Sequence, residues 1–379
     1  MPAKHKQYLR PRENLPAGHE HGWKPLRSLD VGSLHTFAQL TDAMGETPFE
    51  GGNVGHAVNT LAQVVKDPDT FIVMTVAGAM TPAKMGLLIC EMVDRGWVQA
   101  IVSTGALMAH GFVEAVGRDH FRVPQGVSDE ELYRKGFNRI YTALEPESNL
   151  DAVEGIFYGV MEEQNPGRVL SSRAITSALG EYLEKKVTGR GILKSCSQKG
   201  VPVFIPAFTD SELGLDMGLL NLQRVREGLP RLKYDPFIDL DFYAELIRKQ
   251  TGKKLAIFTI GGGVPRNWAQ QVGPYLDLVA KRAGDKEEDP VMFHYGVRIC
   301  PEPVEWGGLS GCTYQEGKSW GKFQPDGQFV EVLTDATVVW PLIVAATIEK
   351  VGTAEIKKNV FAGKKAVAEI EQQIESAYK

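Results

Sequence analysis

Short apolar runs that end on turn residues constrain this chain more than any other feature. FIVMTV (71–76) is the first, and VPVFIP (201–206), KLAIFTI (254–260) and VMFHYGV (291–297) repeat the pattern. Such runs, alternating with amphipathic segments, are the signature of a mostly parallel sheet covered by helices. After FIVMTV and the loop AGAM, Thr81 and Pro82 supply an N-cap and a first-turn proline for a helix running through KMGLLICEMVDR to Gly96. Strand VQAIVS (98–103) completes one βαβ unit. Further helices are expected over 149–164 and 175–187, and Ile356, Val360, Val367, Ile370 and Ile374 put an apolar stripe on a C-terminal helix. Residues 1–30, rich in Lys, Arg, His and Pro, predict an N-terminal arm over the surface that could dock on a neighbouring subunit. No linker composition and no internal repeat interrupts 31–379, so one domain is expected there.

Charge and composition exclude several classes of function. The 42 basic and 47 acidic residues give a net charge of −5, which leaves no global basic field for a phosphate backbone, so nucleic acid is not expected as a partner. No apolar run approaches the roughly 20 residues needed to span a bilayer, and the N-terminus lacks a signal peptide's apolar stretch. A cytoplasmic protein without a membrane partner is expected. Cys90, Cys196, Cys300 and Cys312 form no CxxC pair and the eight histidines include no HExxH, so neither a disulfide frame nor a metal site is expected.

Loops at strand ends are where open α/β sheets bind ligands. GGGVPRN (261–267) follows a strand directly, and its glycines let backbone N–H groups approach an anion. It matches neither GxGxxG nor Walker A, and a plain tight turn accounts for it equally well. AGAMTP (77–82) and STGA (103–106) are similar loops, and the three together suit a dinucleotide better than any one alone. PAFTDSELGLDMG (206–218) puts Asp210 and Asp216 on a strand-end loop, where they could hold ribose hydroxyls or a cationic substrate. The competing reading is that Asp210 caps a helix beginning near Ser211. The stretch 302–323 combines two Trp, three Glu, two Lys and five Gly. Aromatic faces and carboxylates suit a ligand with several ammonium groups, and Lys318 or Lys322, partly desolvated beside an aromatic wall, could form a Schiff base. A surface lysine in a glycine-rich turn is the alternative.

The runs VPVFIPAFTDSELGLDMG, IFTIGGGVPRN, EGKSWGKF and TDATVVWPLIVAATIE, in that order and at these separations, resemble the deoxyhypusine synthase family over residues 50–350. The resemblance implies a Rossmann-like α/β fold and a homotetramer with NAD at its subunit interfaces. Family members oxidise spermidine at its secondary amine, pass a four-carbon imine to a lysine, transfer it to an acceptor amine, and reduce the product with the same NADH. Carried over, the nucleophile is Lys322, the aromatic wall of the polyamine channel is Trp320 and the acidic residue six before the lysine is Glu316. The cofactor positions are Gly78, Ala79, Met80, Thr81, Pro82, Thr104, Gly105, Asp210, Gly262, Gly263, Asp335 and Ala336. Asp216 resembles the amine-binding Asp, with one extra residue in GLDM.

The departures resemble the bacterial deoxyhypusine synthase-like branch. Ala109 and His110 stand where protein-modifying synthases have a Glu pair, Asn267 stands for their His after GGGV, and WGGLSG (306–311) replaces DGSDSG. Several counter-charges for spermidine are therefore missing, and Trp306 could replace part of them by a cation–π contact worth about 0.5–2 kcal/mol. These changes bear on small cations first. The expected activity is an aminobutyl or related aminoalkyl transfer from a polyamine to a free amine, homospermidine synthase-like. A protein-lysine acceptor, an NAD-dependent amine oxidoreductase without transfer, and a non-catalytic scaffold are the competing readings.

Overall fold

The computed structural model describes residues 14–378 apart from 166 and 285–289. Its main sheet contains β1 (Thr70–Val76), β2 (Ala100–Ser103), β3 (Val203–Phe204), β4 (Lys254–Ile260), β5 (Phe293–Ile299) and β6 (Phe323–Val332). Their spatial order is β3-β2-β1-β4-β5-β6, and every neighbouring pair is parallel. This is the doubly wound, Rossmann-type order, in which the winding reverses between β1 and β4 and opens a crevice at their carboxyl ends. Val76 pairs with Ile260 and with Ser103, and Ile299 with Ile260 and with Val332, so the strands finish together along one edge.

Burial on both faces explains why the strands are apolar without alternation. Ile72, Met74 and Val76 join one core with Phe258 and Ile260, packed by helices that include Phe49–Lys66, Gly105–Ala115 and Ala336–Val351. Phe71 and Val73 enter a second core with Phe204, Leu255 and Ile257, covered by helices Phe237–Arg248, Gly263–Gln270 and Lys364–Ala377. Three short antiparallel strands, Phe121–Arg122, Phe137–Ile140 and Ala143–Pro146, form a separate small sheet. No side chain between residues 14 and 40 is buried, and residues 1–13 of the expected arm lie outside the described part.

Local details differ from expectation for identifiable reasons. The segment after β1 winds through turns to Lys84, whose φ of 65° leaves helical space, so the helix starts at Gly86. Thr81 is not its N-cap; the buried Thr81 hydroxyl donates to the Leu107 carbonyl at 3.0 Å. The last helix begins only at Lys364, because Gly363 with φ 85° precedes it; Ile356 and Val360 lie in the preceding loop, whereas Val367, Ile370 and Ile374 do share the helix. Asp216 lies within helix Glu212–Arg226 rather than on a loop, and Ser211, not Asp210, caps that helix by accepting from the Gly214 amide.

Candidate active site

The residues at the sheet's carboxyl edge form one group. Ala77 N donates to Ile260 O at 3.0 Å, Gly261 N to Ile299 O at 2.8 Å and Thr104 N to Val76 O at 3.3 Å, which stitches the three small-residue loops together. Gly261 and Gly263 adopt φ of 74° and 60°, left-handed values that turn the chain from β4 into helix Gly263–Gln270. The first amides of a helix have no partner within it, and this helix starts directly after β4 at the sheet's carboxyl edge, beside the switch point. Gly78, with φ 86°, begins the loop Gly78–Pro82 on the β1 side. A Cβ on Gly105 would collide with the Ser211 side chain, so Thr104, Gly105 and the Asp210–Ser211 turn are packed together. Asp335 caps helix Ala336–Val351, accepting from Thr337 N at 2.6 Å. It follows edge strand β6, two strands from β4 and so about 10 Å away across the sheet.

Lys322 heads β6 at the opposite end of the sheet. Helix Tyr314–Ser319 starts with a capping box in which Thr313 N donates to Glu316 Oε2 at 2.9 Å and Glu316 N to Thr313 Oγ1 at 3.1 Å. It ends as Gly321, φ 68°, reverses the chain and Lys322 N bonds back to Gly317 O at 3.1 Å. This geometry turns the Lys322 side chain into a cleft of about 230 Å³ lined by Arg266, Asn267, Gln270, Glu316 and Trp320. The ammonium donates to Asn267 Oδ1 at 2.9 Å and lies 5.9 Å from the Trp320 ring centre. Lys322 is 9% exposed; burial, and then the positive charge of Arg266, lower its pKa, favouring the neutral amine that a nucleophile requires. Lys318, the other candidate, donates from Nζ to Pro325 O and does not line this cleft.

Two arginines that the motifs did not single out hold the cleft's far wall. Arg266 donates to the carbonyls of Ser310 and Cys312 at 3.3 and 2.5 Å, and Arg298 to the same pair at 2.5 and 2.9 Å while facing Glu331 at 3.3 Å. The segment they fix touches both halves of the site: a Cβ on Gly262 would come within 2.7 Å of Ser310 Cα, and Cys312 lines the lysine cleft. The close approach at Gly262 therefore serves chain packing. Arg266 stands inside GGGVPRN, but nothing in its spacing separates a wall-holding arginine from a solvated one.

Three expected substrate contacts lie elsewhere. Trp306 sits in the short turn Val304–Trp306, 77% exposed, and does not line the cleft. His110, on helix Gly105–Ala115, bonds Glu145 at 3.0 Å. Asp216 neighbours Glu154 and Glu212; burial first and those two carboxylates next raise its pKa to about 7. The unfolded chain releases this proton near 3.8. Asp216 therefore favours the folded state at low pH and loses that contribution as pH rises through 7. Asp216→Asn is expected to leave the melting temperature unchanged near pH 4 and raise it near pH 8, as read by calorimetry; equal shifts at both would contradict this.

Comparison with known proteins agrees with this architecture. The deoxyhypusine synthase family model matches residues 39–347. A protein of Methanosarcina acetivorans named probable deoxyhypusine synthase 2 is 30% identical over 336 residues, covering 88% of this chain and 92% of its own length. A deoxyhypusine synthase-like protein of Chlorobaculum parvum is 30% identical over 333 residues, covering 86% and 90%. The crystal structure of a candidate deoxyhypusine synthase from Entamoeba histolytica superposes with a TM-score of 0.56 at 16% identity over 88% of this chain and 99% of its own, a likeness of fold. No helix among the described residues is long and apolar enough to cross a membrane. With a family model spanning most of its length and relatives this similar over nearly their whole chains, the protein belongs to the deoxyhypusine synthase family.

Proposed function

We propose that this chain is an NAD-dependent transferase that moves an aminobutyl or related aminoalkyl group from a polyamine, through an imine on Lys322, to a small free amine. The observation that carries it is the desolvated Lys322 amine, bonded to Asn267 in a cleft where Glu316 is the only carboxylate among the described lining residues. The paired left-handed glycines, the helix start and the switch-point crevice fit a dinucleotide pyrophosphate, with Gly78–Pro82, Thr104, Gly105, Asp210, Gly262 and Gly263 around it. Asp335 and Ala336 lie two strands further along the same carboxyl edge, about 10 Å away and within the length of an extended dinucleotide, and would take its far end. NAD, when bound, supplies the acceptor for a hydride from the carbon beside the donor's secondary amine and returns that hydride to the product.

The chain's own groups do the rest. Asn267 Oδ1 accepts a proton-bearing bond from Lys322 Nζ and so holds its position as the amine sheds its charge. Neutral Lys322 attacks the donor's imine carbon; a C–N bond forms to lysine and the bond to the leaving amine breaks. The acceptor amine then attacks the lysine imine and restores free Lys322. Trp320 flanks the cationic chain, and Glu316 offers the acidic lip that draws an ammonium in and exchanges protons. A free-amine acceptor is favoured because WGGLSG carries no carboxylate and the carbonyls of Ser310 and Cys312 are already taken up by Arg266 and Arg298. Four unpaired cysteines suit a cytoplasmic setting.

Incubation with NAD, spermidine and a panel of diamines, guanidino-amines and translation-factor protein, followed by mass resolution of products, tests the acceptor. Extension of a small amine by an aminobutyl group is the expected result. Labelling of a protein lysine while millimolar small amines are ignored would overturn the free-amine reading, and oxidation of the donor without any transfer product would favour the oxidoreductase.

A further inference from the structure

We propose that His110, His120 and Glu145 form a binding site for a divalent transition-metal ion of the zinc type, outside the lysine cleft. Three separate elements supply the donors. His110 is on helix Gly105–Ala115, His120 precedes strand Phe121–Arg122, and Glu145 is on strand Ala143–Pro146. Their ligand atoms lie within 4.8 Å of one another. Glu145 Oε2 is 3.0 Å from His110 Nδ1 and 2.5 Å from His120 Nε2. The side chains are 14%, 1% and 0% exposed for His110, His120 and Glu145.

The contact between His120 and Glu145 lacks the direction of a hydrogen bond, and His120 Nε2 is a buried ring nitrogen without a hydrogen-bond partner. One buried carboxylate oxygen thus has two ring nitrogens converging on it and satisfies one of them. An ion at the convergence point would use all three lone pairs. Tetrahedral zinc with bonds of about 2.0–2.1 Å places adjacent donors roughly 3.3 Å apart, so the two histidine–glutamate separations need to open by under about 1 Å and the two histidine nitrogens, within 4.8 Å, to close by at most about 1.5 Å. Two histidines and a glutamate leave a fourth position for water.

The surroundings have the form that orients metal ligands. His120 Nδ1 faces Glu114 Oε1 at 3.4 Å, and Glu114 is itself tied to Lys84 at 2.5 Å. Asn149 Nδ2 donates to the other oxygen of Glu145 at 2.6 Å. Lys84 Nζ also lies 3.3 Å from His120 Nδ1; with Lys84 turned wholly to Glu114, the carboxylate behind the histidine takes the Nδ1 proton and fixes the tautomer that leaves Nε2 free to coordinate. Sequence spacing conceals this arrangement, because the three ligands come from positions 110, 120 and 145 and the fold alone unites them. An ion there would clamp the helix that follows Thr104 and Gly105 to the small antiparallel sheet.

The test is metal uptake by the full chain. After stripping with a chelator, the protein is dialysed against Zn²⁺ for metal analysis and against Co²⁺ for its visible absorption. One ion per chain, a tetrahedral cobalt spectrum and a zinc-dependent rise in melting temperature are expected. His120→Asn and Glu145→Gln should abolish uptake; if either fails to fold, His110→Ala, at the most exposed ligand, should weaken it at least about 100-fold. Glu114→Gln, which touches no ion, should weaken it about 10–100-fold while leaving the cobalt geometry unchanged. Absence of stoichiometric uptake by the wild type, or uptake equal in all variants, would overturn the proposal and leave a proton-bridged triad in its place.

Discussion

Lys322→Arg is expected to lower transfer by roughly 10³-fold or more while leaving NAD binding within a factor of about 2. Arginine keeps the positive charge and can still donate to Asn267 Oδ1, so the cleft loses neither its cation nor its main hydrogen bond. What it lacks is a neutral form, since the guanidinium stays protonated above pH 12 and cannot become an imine. The wild-type lysine differs on this point because burial and Arg266 lower its pKa. Single-turnover kinetics with calorimetric NAD titration separates the two effects. Retention of full transfer activity by the variant would remove Lys322 from the reaction.

The second large effect is expected at Arg298, which touches no proposed substrate. This side chain is 1% exposed, pairs with Glu331 and donates to the carbonyls of Ser310 and Cys312. Arg298→Ala leaves the half-buried Glu331 without its cation and the two carbonyls with Arg266 as their remaining donor, and under-satisfied groups of this kind cost about 1–3 kcal/mol. Denaturant unfolding should report a loss of that order. Because the same carbonyls shape the wall opposite Lys322, donor KM should rise more than NAD affinity falls. A loss below about 1 kcal/mol would mean that Arg266 alone suffices to hold the segment.

The sheet was legible because strands buried on both faces must be apolar throughout, and β1, β4 and β5 carry that mark. β6 was not, since its residues 323–332 include Gln324, Pro325, Asp326, Gly327 and Gln328, and edge position rather than apolar content makes it a strand. Lys322, Trp320 and Glu316 were legible as neighbours because one short helix and one turn carry them all. Asn267 entered as a substitution in a motif; its bond to Lys322 bridges 55 positions and has no local signature. Asp216 was misplaced on a loop because PAFTDSELGLDMG is rich in turn formers up to Gly214, while Ser211 starts the helix earlier than that composition suggests. His120 and Glu145 were missed altogether, as their partner His110 lies 10 and 35 positions away.

The central claim is a covalent bond between Lys322 and the carbon chain of the donor. Borohydride added to the protein during turnover with spermidine and NAD, without acceptor, reduces such an imine to a stable secondary amine. The predicted result is one added aminobutyl mass per active site, mapped by peptide mass spectrometry to Lys322 and dependent on NAD. An unmodified Lys322 peptide under conditions in which spermidine is consumed and product is formed would contradict the account.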